Sequence, residues 1–422
     1  MRGSPLGGDY RISCSEKLLM LEFVQKRRFY VGAFLLGMTI CNLLLPLQNI
    51  SSLRRGYQDF TIYYMAGLLL RSGQASHLYD LDAQYRTQLA FAHVPIRQGP
   101  LPYNHPPFEA VLFIPFTWLA YWPAYLLWTA LNLIMLAASV ILLRRQFPEL
   151  GAAPPLLLWL GATAFFPVVF GILQGHDVVL LQFLFVLAVV SLDRGEDAWA
   201  GAFLAAGLFL PHLIMPVVAL FAARRWRVLL GFVPGALFLG GVSVVLMGWR
   251  WPIGYIRFVL RVEKSRAVSY GPRVVPNLRG LIAGLPGLHA SDPWAAVLIP
   301  ILVLASSAVV FFLALRRIRS GQDSMLFLSS LAAVTAILVS YHALSYDLTL
   351  LLPAVFFLLS RTVGVVTKAD RATIALVILL SLTPLYVFLV MDVGQFFWFA
   401  LILLSLYLYL LLTNAPEVPA RR

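Results

Sequence analysis

Asp59 opens the stretch Asp-Phe-Thr-Ile-Tyr-Tyr-Met-Ala-Gly-Leu-Leu-Leu-Arg, a few residues after a long apolar run. A carboxylate there can take a proton from a reacting hydroxyl as general base. It can equally cap a helix N-terminus, and the residue alone leaves both roles open. Phe60, Tyr63, Tyr64, Gly67, Leu68 and Arg71 recur at intervals of three and four, which predicts a helix. Its tyrosines suit the depth of a membrane interface. His342, Tyr346 and Asp347 stand at i, i+4 and i+5. An imidazole there can orient a substrate, bind a phosphate or move a proton; the simpler alternative is a helix-end histidine bonded to backbone. The segment 249–292 carries Arg250, Arg257, Arg261, Lys264, Arg266, Arg273 and Arg279. Arg257 and Arg261 share a helical face, and a guanidinium fork suits phosphate. Attraction to anionic headgroups accounts for any one of these residues more simply, and less simply for the set.

Further polar groups interrupt otherwise apolar sequence: Asn104-His105-Pro106-Pro107, Gln174-Gly175-His176-Asp177 and Pro211-His212. Ionisable groups at membrane depth are costly and point to function. With His289 and His342, these segments hold five of the seven histidines; His77 and His93 are the other two. Tyr79-Asp80-Leu81-Asp82 resembles a metal-binding DxD pair, but a cap for a short helix over 83–92 accounts for Asp80 or Asp82 more simply. No nucleophile elbow, P-loop, dinucleotide fingerprint or paired-histidine zinc motif is present. The two cysteines, Cys14 and Cys41, form neither a disulfide framework nor a zinc spacing.

The elements that must position these groups are membrane helices. Of the 422 residues, 60% are hydrophobic and only 12% charged, and the mean hydropathy is +0.82. A soluble domain has about 25% charged residues, so the excess apolar surface must face lipid. The net charge of +13 is what Lys and Arg held in cytoplasmic loops would give, and it calls for no nucleic-acid partner. Apolar runs fall at 29–48, 121–143, 155–173, 177–193, 198–210, 213–223, 226–248, 293–315, 325–341, 346–360, 371–390 and 394–413. The first is expected to be a retained span, because no small-residue cleavage site follows it. A further run, 108–120, covers about 20 Å of a hydrocarbon core about 30 Å thick, and is read as re-entrant or non-spanning. With the N-terminus inside, 20 of the 32 Lys and Arg then fall in the cytoplasm. The other twelve lie in two long outer loops, 49–107 and 249–292, which the charge rule binds less tightly. The break at Pro211-His212 predicts two short helices meeting at an outer turn. The expected fold is therefore all-α and polytopic: one domain over 1–422, with about 12 transmembrane helices and interfacial helices in the first outer loop.

These segments together resemble the polytopic glycosyltransferases of the GT-C fold, and among them glycosyltransferase family 87, the polyprenyl-phosphate-mannose-dependent α-mannosyltransferases. The resemblance rests on Asp59-Phe60 with Tyr63-Tyr64 and Ala66-Gly67, on Leu78-Tyr79-Asp80, and on Tyr103-Asn104-His105-Pro106-Pro107-Phe108. It continues through Gln174-Gly175-His176-Asp177, Pro276-Asn277-Leu278-Arg279-Gly280-Leu281, His342 and Tyr346-Asp347. It implies inverting transfer of a sugar, mannose in that family, from a polyprenyl-phosphate donor to a glycolipid or glycan hydroxyl. The transfer takes place on the non-cytoplasmic face of a plasma membrane, in the bacterial case the inner one. Asp59 is then the base and His342 assists. Tyr63, His105, His176, Asp177, His212, Arg257, Arg261, Asn277, Arg279, Tyr346 and Asp347 surround the substrates. No cofactor and no metal are implied. The chain departs from the pattern at Gly175-His176, where Gly-Gln is expected, and at Leu210-Pro211-His212, where Lys-Pro is common. The competing class is a lipid or solute transporter or flippase, which would show repeats and a midplane site; no repeat is visible, and the polar groups crowd one interface.

Overall fold

A computed structural model describes residues 14–56, 58–92, 100–264, 271–285, 287–288, 292–320, 323–363 and 371–413. His93, Arg266 and His289 lie outside them. Among the described residues the regular structure is entirely helical. The first part runs α1 (Cys14–Arg54), α2 (Phe60–Arg71), α3 (Leu81–Ala92), α4 (Pro107–Phe113) and α5 (Tyr121–Gln146). A single turn, α6 (Pro148–Gly151), leads to α7 (Pro155–Ala164), α8 (Phe166–Gln174), α9 (Val178–Asp193), α10 (Asp197–Ala206), α11 (Pro211–Arg224) and α12 (Val228–Met247). The segment between α12 and the next long helix holds α13 (Trp251–Lys264) and α14 (Leu278–Ala283). The rest comprises α15 (Pro293–Ser320), α16 (Met325–Val339), α17 (Leu352–Val363), α18 (Arg371–Ser381), α19 (Thr383–Val387) and α20 (Phe399–Leu412).

Four helices are long and apolar enough to cross a membrane: α1 from Val24, α5, α12 and α15. Two bent pairs raise the number to six, α7 with α8 at 59° and α18 with the helix over Thr383–Asp392 at 56°. Both bends fall inside runs whose hydropathy reads as one straight span. The cause is proline, with Pro167 and Pro384 each in the first turn after the break. A proline there offers no N–H to the preceding turn and crowds its carbonyls. The expected break at Pro211 is present between α10 and α11. The run 108–120 is α4 followed by a tight 3-10 stretch, Ile114–Trp118, too short for a straight span. The run 346–360 begins as a 3-10 turn, Ser345–Leu351, before α17.

Burial follows hydropathy pattern. Helix α16 is apolar all round, and Met325 to Leu338 are all buried, as expected of a central helix. By contrast α12 and α15 expose Leu237, Phe238, Val245, Leu304 and Phe312, side chains that only lipid would accommodate. Midway along α1 the polar Thr39 and Asn42 point inward. Asn42 is fully buried; its amide donates to the Thr163 carbonyl at 2.9 Å and accepts from the Thr383 hydroxyl at 2.8 Å, tying α1 to α7 and α19. A second, aromatic core of Phe60, Tyr63, Phe113, Phe116 and Trp128 packs α2 against α4 and α5. The Tyr64 hydroxyl donates to the Leu119 carbonyl at 2.7 Å, and Arg71 donates to the Thr117 carbonyl. Helix α2 is thereby docked rather than lying loose in the interface.

Candidate active site

Asp59 is the N-cap residue of α2, yet its side chain makes no capping bond to that helix. Its backbone N–H donates to Gln174 Oε1 at 3.3 Å, joining the start of α2 to the end of α8. Asn49, Ser52, Gln58 and Gln174 form the polar side of a cavity of about 400 Å³, which Asp59 adjoins through Gln58 and Gln174 but does not line. Its other walls are largely apolar: Leu45, Leu53, Phe166, Phe170, Leu173, Val387, Val390 and Met391. Asp59 itself is half-buried.

Below it the loop before α4 is held from three sides. Gln84 Oε1 accepts from the Tyr103 N–H at 3.0 Å, Gln88 bonds both backbone groups of Leu101, and the Tyr79 hydroxyl donates to the His105 carbonyl at 2.9 Å. His105 is thus set in place by α3 and by Tyr79. Its Nδ1 lies 2.9 Å from Glu109 Oε2 and 3.7 Å from Asp177 Oδ2. The Tyr103 hydroxyl stands 3.2 Å from the same Glu109 oxygen. From the other side comes the turn between α8 and α9. Gly175 takes φ +61° there, with Phe60 Cβ only 2.7 Å from where its own Cβ would be, so only glycine fits. Trp128 Nε1 donates to the Gly175 carbonyl at 2.9 Å and the Tyr125 hydroxyl to the Leu173 carbonyl at 2.8 Å. The turn delivers His176, whose Nδ1 is 2.6 Å from Asp177 Oδ1. Tyr63 is fully buried between the two imidazoles, edge-on to His105 at 5.3 Å and to His176 at 5.6 Å. Tyr346 covers His176 at 4.1 Å.

Electrostatics separates the two imidazoles. Burial lowers His105, and Asp177 only partly opposes it. Burial pulls His176 the same way, but the adjacent Asp177 carboxylate outweighs it and holds this imidazole above its ordinary range. The charges of Asp59 and Asp347 also bear on both rings, so all four groups belong to one field. Asp347 is buried, and its Oδ2 accepts from the Leu344 N–H at 2.6 Å, shaping the turn after His342.

A third group lines the far side. His342 and His212 face each other with rings 6.3 Å apart. Burial pushes the His342 imidazole down to about 4, with Glu263 opposing and Arg279 adding to the push. Arg279 pairs with Glu263, lies 3.9 Å over the Tyr341 ring and donates to the Tyr341 carbonyl at 3.1 Å. Asn277 caps α14 through the Gly280 N–H at 2.9 Å and donates to the Ser340 carbonyl at 2.6 Å; both ends of its amide are used in holding the segment that carries His342. Arg257 and Arg261 lie exposed on α13, whose inward Phe258 stacks on Tyr79 at 5.2 Å. Asp80 is a helix cap, its Oδ1 accepting from the Asp82 N–H at 3.0 Å.

The sequence reading therefore names many of the groups that converge, Tyr103 and Gln174 only as members of motifs and without a role, but it passes over Glu109 and Glu263. Glu109 carried a signal, since it is the only acidic residue in the apolar run 108–120. The family model described as glycosyltransferase family 87 matches residues 103–340, more than half of the chain. The matched stretch includes His105, His176, Asp177 and Asn277, and it ends two residues before His342. Asp59 precedes it. No curated protein and no solved structure matches the chain.

Proposed function

The chain belongs to glycosyltransferase family 87 and is a membrane glycosyltransferase, and we propose that it moves mannose from a polyprenyl-phosphate donor to a hydroxyl of a glycolipid or glycan. The observation that carries the reading is Asp59. It occupies a helix cap without capping, beside a cavity with polar and apolar walls, and its charge reaches the buried histidines.

In the proposed step the acceptor oxygen attacks the anomeric carbon as the bond from that carbon to the phosphate oxygen breaks. The acceptor proton passes to Asp59. Because a sugar hydroxyl is a weak nucleophile at neutral pH, a carboxylate within about 2.6–3.2 Å of it is required. The polyprenyl phosphate leaves as a dianion, so negative charge grows at the phosphate. Arg257 and Arg261 on α13 receive that charge, and Arg279, paired with Glu263, holds the segment beside His342 in place. His342, neutral under physiological conditions, offers a hydrogen bond rather than a fixed charge. Tyr63, His105, His176, Asp177, His212, Asn277, Tyr346 and Asp347 shape the floor and the far wall. A preformed leaving group needs no metal at the phosphate. Single displacement inverts the anomeric centre, so a β-linked donor gives an α-linked product. The apolar side of the cavity suits an isoprenoid tail entering from the bilayer.

The shorter helices α9, α10, α11, α16, α17 and Phe396–Leu412, added to the six long or bent spans, make up a GT-C arrangement of about 12 spans in this reading. The site then lies on the outer face of a bacterial inner membrane.

The test is transfer of label from radiolabelled polyprenyl-phosphate-mannose to extracted glycolipids by the purified full chain, with no divalent cation added. Wild type is expected to transfer, and Asp59→Asn to lose about 10²–10⁴-fold in rate. Equal transfer by both proteins removes Asp59 from the base role. No transfer by wild type, with transfer from another lipid-linked sugar, replaces mannose.

A further inference from the structure

His105, Glu109 and Asp177 form an arrangement that the proton and phosphate steps of the transfer do not use. Their donor atoms lie within 4.8 Å of one another, and the three residues are 4%, 3% and 0% exposed. Two carboxylates therefore converge on one imidazole, out of water. Carboxylates only accept when ionised, so Glu109 Oε1 and Asp177 Oδ2, both buried, find no donor, although the two carboxyl groups stand within hydrogen-bonding reach of each other and a shared proton would join them. The His105–Asp177 separation of 3.7 Å is too long for a hydrogen bond. The Tyr63 hydroxyl is buried beside them and is also without a partner. Buried carboxylates left in this condition need a cation or protons to neutralise them.

The geometry points to a cation. We propose that His105 Nδ1, Glu109 and Asp177 bind a divalent transition-metal ion that clamps the loop before α4 to the turn between α8 and α9. Zinc bonds to nitrogen and oxygen of about 2.0–2.2 Å put neighbouring donors of a tetrahedron about 3.4 Å apart. The His105–Glu109 and His105–Asp177 distances, 2.9 and 3.7 Å, lie on either side of that value. One imidazole with two carboxylates suits Zn²⁺ or Mn²⁺ better than Ca²⁺, which takes six to eight oxygens. An outer shell is in place as well. Tyr103 stands against the Glu109 carboxylate, and His176 against the second Asp177 oxygen; such partners orient first ligands. Tyr63, open on its hydroxyl side, or a water completes the coordination.

The ion is structural and sits beneath the reacting groups, leaving the phosphate charge to the arginines. It does not depend on which sugar is moved, and its test does not read activity. The full chain, purified in detergent without chelator, is assayed for metal by mass spectrometry. The expected result is one zinc or manganese per chain, lost in His105→Ala and in Asp177→Ala and kept in Asp80→Ala, which alters a carboxylate elsewhere in the same loop. Because the first two variants risk misfolding, wild type is also stripped with chelator and titrated with Zn²⁺ and with Mn²⁺ alone. Its thermal midpoint should rise with one of them and not with Ca²⁺. Retention of the metal in folded Asp177→Ala overturns the site. So does wild-type protein that carries no metal and shows no thermal response to either ion, and the carboxylates are then neutralised by shared protons.

Discussion

At the residue scale the informative contrast is between Asp59 and His342. Asp59 stands where an acidic residue normally caps a helix, and it does not cap. His342 stands where a histidine is normally half charged near neutrality, yet burial pushes it down to about 4. Two consequences follow for pH. The imidazole is neutral through the physiological range, so His342→Gln, which keeps a hydrogen-bonding head, should retain more transfer than His342→Ala. A loss of about tenfold for the alanine variant corresponds to one hydrogen bond to a charged group. Stability carries the second consequence. The folded pKa lies below the ordinary value of 6.5, so the unfolded chain binds the proton more readily. The stabilising contribution is complete above about pH 6.5 and disappears as pH falls toward about 4. Thermal midpoints measured across that window should fall more steeply in wild type than in His342→Gln. Parallel slopes would mean that the imidazole is not held neutral. The phosphate role assigned to α13 makes a separate expectation. Arg257→Gln with Arg261→Gln should raise the KM for the lipid-linked donor about tenfold or more, and leave the KM for the acceptor unchanged. An equal rise in both would assign these arginines to general surface attraction.

At the element scale, close approach of helices matters more than side-chain size. Helices α10 and α12 cross at Gly201 and Gly231. A Cβ on Gly231 would lie 1.7 Å from the Ala198 carbonyl oxygen, and one on Gly201 1.8 Å from that of Val228. Small residues at such a crossing are the usual means of tight packing in lipid. Gly231→Ala should therefore force the pair apart and cost about 1–3 kcal/mol, read as a lower thermal midpoint in detergent. Gly240→Ala on the same helix meets nothing within 4 Å and should leave the midpoint unchanged or raise it, because alanine favours helix. Helices themselves were legible in the sequence, since each must present apolar side chains to lipid or to the buried α16. Their breaks were less so. The runs 155–173 and 371–390 bend because of Pro167 and Pro384, and a hydropathy average does not register a missing N–H. The site was legible by residue type for His105, His176 and Asp177, each a polar group in apolar surroundings. Their meeting with Glu109 was not, because it depends on α3, α5 and Gly175 bringing together segments about seventy residues apart in sequence.

At the scale of the whole molecule everything rests on sidedness. Helices α12 and α15 flank the second outer loop, one ending at Met247 and the other starting at Pro293. The basic groups of that loop and of α13 thus lie at the opposite membrane face from Arg316, Arg317 and Arg319 at the end of α15. The proposed orientation takes the latter end as cytoplasmic, where Lys and Arg are held back, and in it Asp59, His342 and the α13 arginines lie outside. A lipid-linked donor fits that placement, because a sugar nucleotide would be confined to the cytoplasm while a polyprenyl carrier can present its sugar across the bilayer. The prediction is direct. In a chain with Cys14 and Cys41 replaced by serine, Lys264→Cys should react with a membrane-impermeant maleimide on intact cells, and Arg316→Cys only after permeabilisation. The opposite pattern would place the catalytic groups against the cytoplasm, where a soluble nucleotide sugar becomes the natural donor and the carboxylate at position 59 would have to act on a different leaving group.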